Sequence, residues 1–182
     1  MSAFKLKQEL RNAIDWHLTF PDFMFRETSF RFAYFFETPW KGRQDIGAEL
    51  DRLLIRAAPG DAVVSVEHEN DGTFDESRVP VTMWTPHEGE LFSARRVREY
   101  LESNPIWPGL TVALEKSQDW ALYENPAEPF GVLVTKHSLA DLHPDRDTVF
   151  DVKRLLELAD APSIGLHTWV PDRIVASFGK MV

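Results

Sequence analysis

His137, Asp141, His143, Asp145 and Asp147 crowd into one short polar segment and form the densest group of potential metal ligands in the chain. Imidazole nitrogen and carboxylate oxygen together suit zinc, manganese or iron. The separation of His137 from His143 is not the i, i+3 or i+4 interval that places two side chains on one helix face. Pro144 adds a turn. Any site here is therefore a loop site, with His137, Asp141 and His143 as its candidate ligands. The plainer reading, and the preferred one, is a solvated loop whose aspartates cap the next helix.

Other constellations are weaker. Glu67, Glu69, Asp71 and Gly72 begin like a calcium loop, but the twelfth position, where a bidentate Glu belongs, is Arg78. The flanking segments also read as strands, so an acidic hairpin turn is expected. Glu67 and Glu69 share one side of a strand. Acid–base work by that pair would need burial to raise one pKa. A cross-strand pairing of Glu67 with Arg31 is the structural expectation. Ser65 and His68 point to opposite faces of one strand and make no natural pair. His17 and His167 lie on apolar elements, where a histidine is ordinarily hydrogen-bonded within the core.

The chain holds no G-x-x-x-x-G-K-[ST], G-x-G-x-x-G or G-x-S-x-G motif. It has no cysteine, which excludes disulfides, Cys-ligated zinc, iron–sulfur clusters and thiol catalysis. No catalytic residue and no cofactor is assigned.

Six tryptophans are present. Trp40, Trp84 and Trp107 fall near strand ends or in loops, next to prolines. Tryptophans so placed either close the ends of a core or anchor a partner. With Glu67, Glu69 and Asp71 they describe an acidic, aromatic protein-binding surface.

Twenty Lys and Arg stand against 29 Asp and Glu, for a net charge of −9. That disfavours nucleic acid and anionic membrane, which need positive potential, and suits a basic protein partner. No window approaches the run of about 20 apolar residues that spans a bilayer. The N-terminus lacks a signal-peptide core, so a cytoplasmic location is expected.

These residues must be positioned by recognisable elements. Apolar periodicity predicts helices over 2–17, 45–57 (capped by Asp45), 94–103 and 148–159 (capped by Asp147 or Thr148). Strands are predicted over 28–37, 62–69, 79–85, 110–116, 119–124, 129–136 and 164–170. In the first of these Phe30, Phe32, Tyr34 and Phe36 face the core, with Phe35 on a partly covered side. Pro171 and Gly179 bracket a closing turn or short helix. The expected architecture is a single α+β domain over residues 1–182. It has a mostly antiparallel sheet of about five to seven strands, with about four helices packed mainly on one face.

Three patches carry a weak resemblance to an uncharacterised bacterial domain family: Ser29-Phe30-Arg31-Phe32-Ala33-Tyr34, Trp120-Ala121-Leu122-Tyr123-Glu124-Asn125, and Thr168-Trp169-Val170-Pro171-Asp172-Arg173 with Phe178. Glu124-Asn125-Pro126-Ala127 stands where that family has an acidic pair followed by Arg-Gly. The resemblance implies no activity. At the level of class, the chain is similar to small acidic α+β immunity proteins that neutralise a toxin.

The sequence thus points to a non-enzymatic protein-binding module, in concrete form an immunity or inhibitor protein for a basic partner. A metal-assisted enzyme or small-ligand-binding protein using the 137–147 loop is the alternative. For a basic partner, stopped-flow association should slow as salt rises through the physiological range. A salt-independent on-rate contradicts electrostatic steering.

Overall fold

Strand β1 (Phe32–Glu37) is apolar at successive positions rather than at alternate ones, and this decides the architecture. Both of its faces must be covered, and both are. The computed structural model describes residues 12–13, 15, 18, 20–26, 29–37, 44–57, 62–66, 81–84, 111–115, 119–124, 130–159 and 170–181. After β1 come α1 (Gln44–Ala57), β2 (Ala62–Val66), β3 (Val81–Trp84), β4 (Thr111–Glu115), β5 (Trp120–Glu124) and β6 (Phe130–Thr135). A 3-10 turn (Ala140–Leu142), β7 (Phe150–Asp151), α2 (Val152–Ala159) and α3 (Val170–Phe178) complete the described elements. The sheet order is β3-β2-β4-β5-β6-β1-β7, and every described pairing is antiparallel. The fold is α+β.

On one face, Tyr34 and Phe36 of β1, Trp120 and Leu122 of β5 and Leu133 of β6 pack with Ile46, Leu50 and Leu53 of α1. On the other, Ala33, Phe35, Tyr123, Val132 and Val134 pack with Leu155 of α2 and with Ile174 and Phe178 of α3. Phe35 and Phe178 meet edge to face, with ring centroids 5.3 Å apart, a favoured aromatic geometry. Arg173 of α3 forms an ion pair with Asp22, tying that helix to the segment before β1.

Two of the three described α-helices, α2 and α3, pack on the Phe35 face, and α1 covers the other. Strands apolar on both sides, such as the wholly buried β6, need a layer on each side. Phe30 joins the Phe35 side rather than the Tyr34 side. The strand begins only at Phe32, so its alternation does not bind the residue two before it. Helix α1 begins at Gln44, which puts Asp45 inside its first turn instead of at the cap.

The helix expected over 148–159 starts at Val152. Phe150 and Asp151 pair with Phe35 and Tyr34 as an edge strand. Asp151 takes the capping role: its Oδ1 accepts the Arg154 amide at 2.8 Å. Val149 and Leu155 consequently pack on opposite faces of the sheet. Val170, expected to close a strand, opens α3 instead. Gly179 does stop that helix; its amide donates to the Val175 carbonyl at 2.9 Å. Three α-helices are described, where about four are expected from the patterning. Of the helix expected over 2–17, residues 12–13 and Asp15 are described; 12–13 are helical and Asp15 is not, while the helix expected over 94–103 lies outside the described residues, as do 164–169.

Gly131 of β6 stands opposite Phe36 of β1. A Cβ there would lie 2.4 Å from the Phe36 ring and 3.1 Å from the Tyr123 carbonyl oxygen. The ring fills the place a side chain would take. Because Phe36 is fully buried, it has little room to move. Gly131→Ala should therefore destabilise the fold by about 1–3 kcal/mol in urea denaturation, as overpacking does. An unchanged midpoint would show that the ring yields freely.

Candidate functional site

The polar loop between β6 and β7 is held by two residues of α1. Glu49 and Arg52 are three apart and so lie on one helix face. Arg52 donates through Nε to Glu49 Oε2 and through Nη2 to Oε1, each at 2.7 Å. This two-point pairing leaves the guanidinium with further donors, and the loop takes them. Nη1 donates to the Leu142 carbonyl at 2.8 Å and Nη2 to the His143 carbonyl at 3.1 Å. Glu49 Oε1 also accepts the Asp145 amide at 2.7 Å. The hydrogen bond from Arg52 is the largest influence on Glu49. It holds the carboxyl below its ordinary value, against the opposing effect of partial burial. Reciprocally, the hydrogen bond to Glu49 raises Arg52 above its usual value.

The clamp fixes an unusual backbone. His143 has φ 47° and ψ 68°, the left-handed region that residues with a Cβ adopt infrequently. Its amide donates to the Ala140 carbonyl at 3.0 Å, and its carbonyl accepts from Arg52. The rest of the loop is tied down as well. The Leu139 amide donates to the Tyr34 hydroxyl at 2.7 Å, and Thr135 Oγ1 donates to the His137 carbonyl at 2.6 Å. Asp145 accepts from the Asp147 amide at 3.1 Å and from Thr148 Oγ1 at 2.8 Å.

Between this loop and α2 lies an open cleft of about 390 Å³. Tyr34, Val149 and Phe150, all buried, supply an apolar floor. His143 and Arg146 line it from the loop; Lys153, Arg154 and Glu157 line it from α2. Arg154 pairs with Glu157 at 3.2 Å. Asp151, also in the lining, caps α2. The side chains of Arg146 and Lys153 make no ion pair or hydrogen bond among the described residues.

The candidate ligands His137, Asp141 and His143 are all exposed. Among the described residues no group of three or more His, Asp or Glu side chains assembles that could hold a metal ion. Of the two candidate caps for the following helix, Asp147 and Thr148 both bond to Asp145 instead. Trp84 ends β3, its backbone opposite Ala62. Trp40, Trp107, Glu67, Glu69 and Asp71 lie outside the described residues. The sequence reading missed Glu49, Arg52, Arg146 and Lys153. The i, i+3 acid–base pair on a strongly patterned helix was a visible signal, and so were the cations interleaved with the aspartates.

No described helix is long and apolar enough to cross a membrane. The chain matches no family model, no curated protein and no solved structure.

Glu49 has a lowered pKa, so the clamp's contribution is fully present above the ordinary value of 4.5 and is lost as pH falls through the lower folded value. Glu49→Gln should cost about 1–2 kcal/mol at pH 7, allowing for partial solvent screening, and should flatten the acid limb of stability against pH. An acid limb identical to that of the wild type would contradict the clamp.

Proposed function

We propose that this chain is a binding protein without catalytic chemistry and that the cleft between the 137–149 loop and α2 is its recognition site. One observation carries the reading. His143, exposed at the cleft, is kept in a left-handed conformation by hydrogen bonds on both sides of its own backbone. Such conformations cost of order 1–3 kcal/mol and persist where the surroundings over-determine them, which is commonly at ligand sites. The polar groups around the cleft support binding over catalysis. Asp151 caps a helix, Glu157 holds Arg154, and the Tyr34 hydroxyl accepts the Leu139 amide. A small pocket with an apolar floor and a few convergent polar groups is a common form of ligand site.

A basic protein is the second reading, favoured by the net charge of −9. In that case the protein acts as an immunity or inhibitor protein, and the acidic surface steers the encounter. A cytoplasmic location accompanies both readings.

Amide NMR of the full chain tests the site. In titrations with benzyl alcohol, benzylamine and phenylacetate, at least one probe should shift the amides of residues 143–154 saturably. Arg52→Ala releases the loop and should abolish those shifts while the strand amides stay in place. Shifts confined to other parts of the chain would contradict the reading, as would unaltered binding by Arg52→Ala.

A further inference from the structure

The charges around the cleft do not cancel, and what is left over has the opposite sign to the protein as a whole. The lining contains the cations Arg146, Lys153 and Arg154 and the acids Asp151 and Glu157. Both acids are engaged locally. Glu157 meets the Arg154 guanidinium, and Asp151 accepts the Arg154 backbone amide at the start of α2. Arg146 and Lys153 are left without a partner among the described residues. Elsewhere in the described structure Arg52 pairs with Glu49, Lys136 with Asp119 and Arg173 with Asp22, while Arg26, Arg31, Arg56 and Lys180 form no ion pair among the described residues but do not line the cleft. Two cations without ion-pair partners beside an apolar floor, in a lining with one cation more than its acids, form a local feature that the chain's net charge of −9 does not explain.

We infer that the cleft takes a small organic anion, with its carboxylate or phosphate oxygens at Arg146 and Lys153 and its apolar body against Tyr34, Val149 and Phe150. The inference rests on the cleft being the recognition site and adds the class of ligand. Arg146 offers a planar fork suited to two oxygens of one group, and Lys153 adds a compact point charge. His143, held at the rim, can donate a ring N–H to the same group. The acidity of the rest of the surface does not prevent this. Screening confines exposed charges to about 8 Å at physiological salt, so at contact the adjacent cations dominate. The volume of about 390 Å³ suits a single ring with its anionic substituent and is too small for a folded partner.

Amide NMR titration of the full chain with phenylacetate, phenyl phosphate, benzyl alcohol and benzylamine tests the inference. One or both anions should saturate shifts at residues 143–154 and bind at least about tenfold more tightly than benzyl alcohol, as expected for charge-assisted contacts. Benzylamine should bind most weakly. Binding of phenyl phosphate alone would identify the group as phosphate, and of phenylacetate alone as carboxylate. Arg146→Gln and Lys153→Gln alter exposed residues and should each weaken the anion about tenfold. Arg56→Gln, exposed at the end of α1 and outside the cleft lining, should leave binding unchanged. If benzyl alcohol or benzylamine binds in the cleft as tightly as the anions, the anion inference fails and the recognition site stands. If no probe shifts the cleft amides, both fail. Anion binding that is insensitive to both Gln variants also overturns the inference.

Discussion

A single two-point ion pair, Glu49 with Arg52, joins α1 to the loop that forms one wall of the cleft. Its strength comes from sharing. Arg52 offers five N–H donors in a fixed plane, and Glu49 alone cannot use them all. The carbonyls of Leu142 and His143 take the surplus, while Glu49 accepts the Asp145 amide. One pair on one helix therefore satisfies loop backbone groups that would otherwise depend on water. The left-handed turn at His143 and the position of Arg146 follow from that arrangement.

The clamp works only because α1 is itself immobilised. Ile46, Leu50 and Leu53 pack on the Tyr34–Phe36 face of the sheet, and all are essentially buried. Strand β1 contributes to both cores, with Tyr34 and Phe36 on one side and Ala33 and Phe35 on the other. It also pairs with β6 and β7. The cleft thus draws its floor, its loop wall and its α2 wall from elements that all pack on, or pair with, one strand. Tyr34 does both: its ring is part of the floor and its hydroxyl holds the Leu139 amide.

Local patterning made the elements legible and left their arrangement obscure. The apolar spacing of α1 and the hairpin of β4 and β5 are short-range properties, readable from neighbouring residues. The second helical layer is not. Phe35 hinted at it, but a short apolar run such as β6 cannot be told by periodicity alone from a buried helical segment. The two-residue strand β7 was hidden for a similar reason. Val149, Val152 and Leu155 continue a helical spacing, and only pairing with β1 reveals that the helix begins at Val152. At the site, His137, Asp141 and His143 stand out in the sequence because side chains of their types coordinate metals. The structure uses that segment mainly through its backbone, and backbone hydrogen bonding to a distant helix leaves no mark on residue type. Arg146 and Lys153 acquire meaning only once the two acids of the cleft lining are seen to be bonded to Arg154.

If α1 holds the loop, the Asp145 amide must be protected from solvent by Glu49. Amide hydrogen exchange of the wild type and of Glu49→Ala measures this most directly. The account requires slowed exchange at Asp145 in the wild type. It further requires acceleration at Asp145 of at least about tenfold in the variant, the equivalent of losing roughly 1.4 kcal/mol, while Phe35 and Val132 in the sheet keep their rates. Free exchange at Asp145 in the wild type, or equal acceleration across loop and sheet, would contradict it.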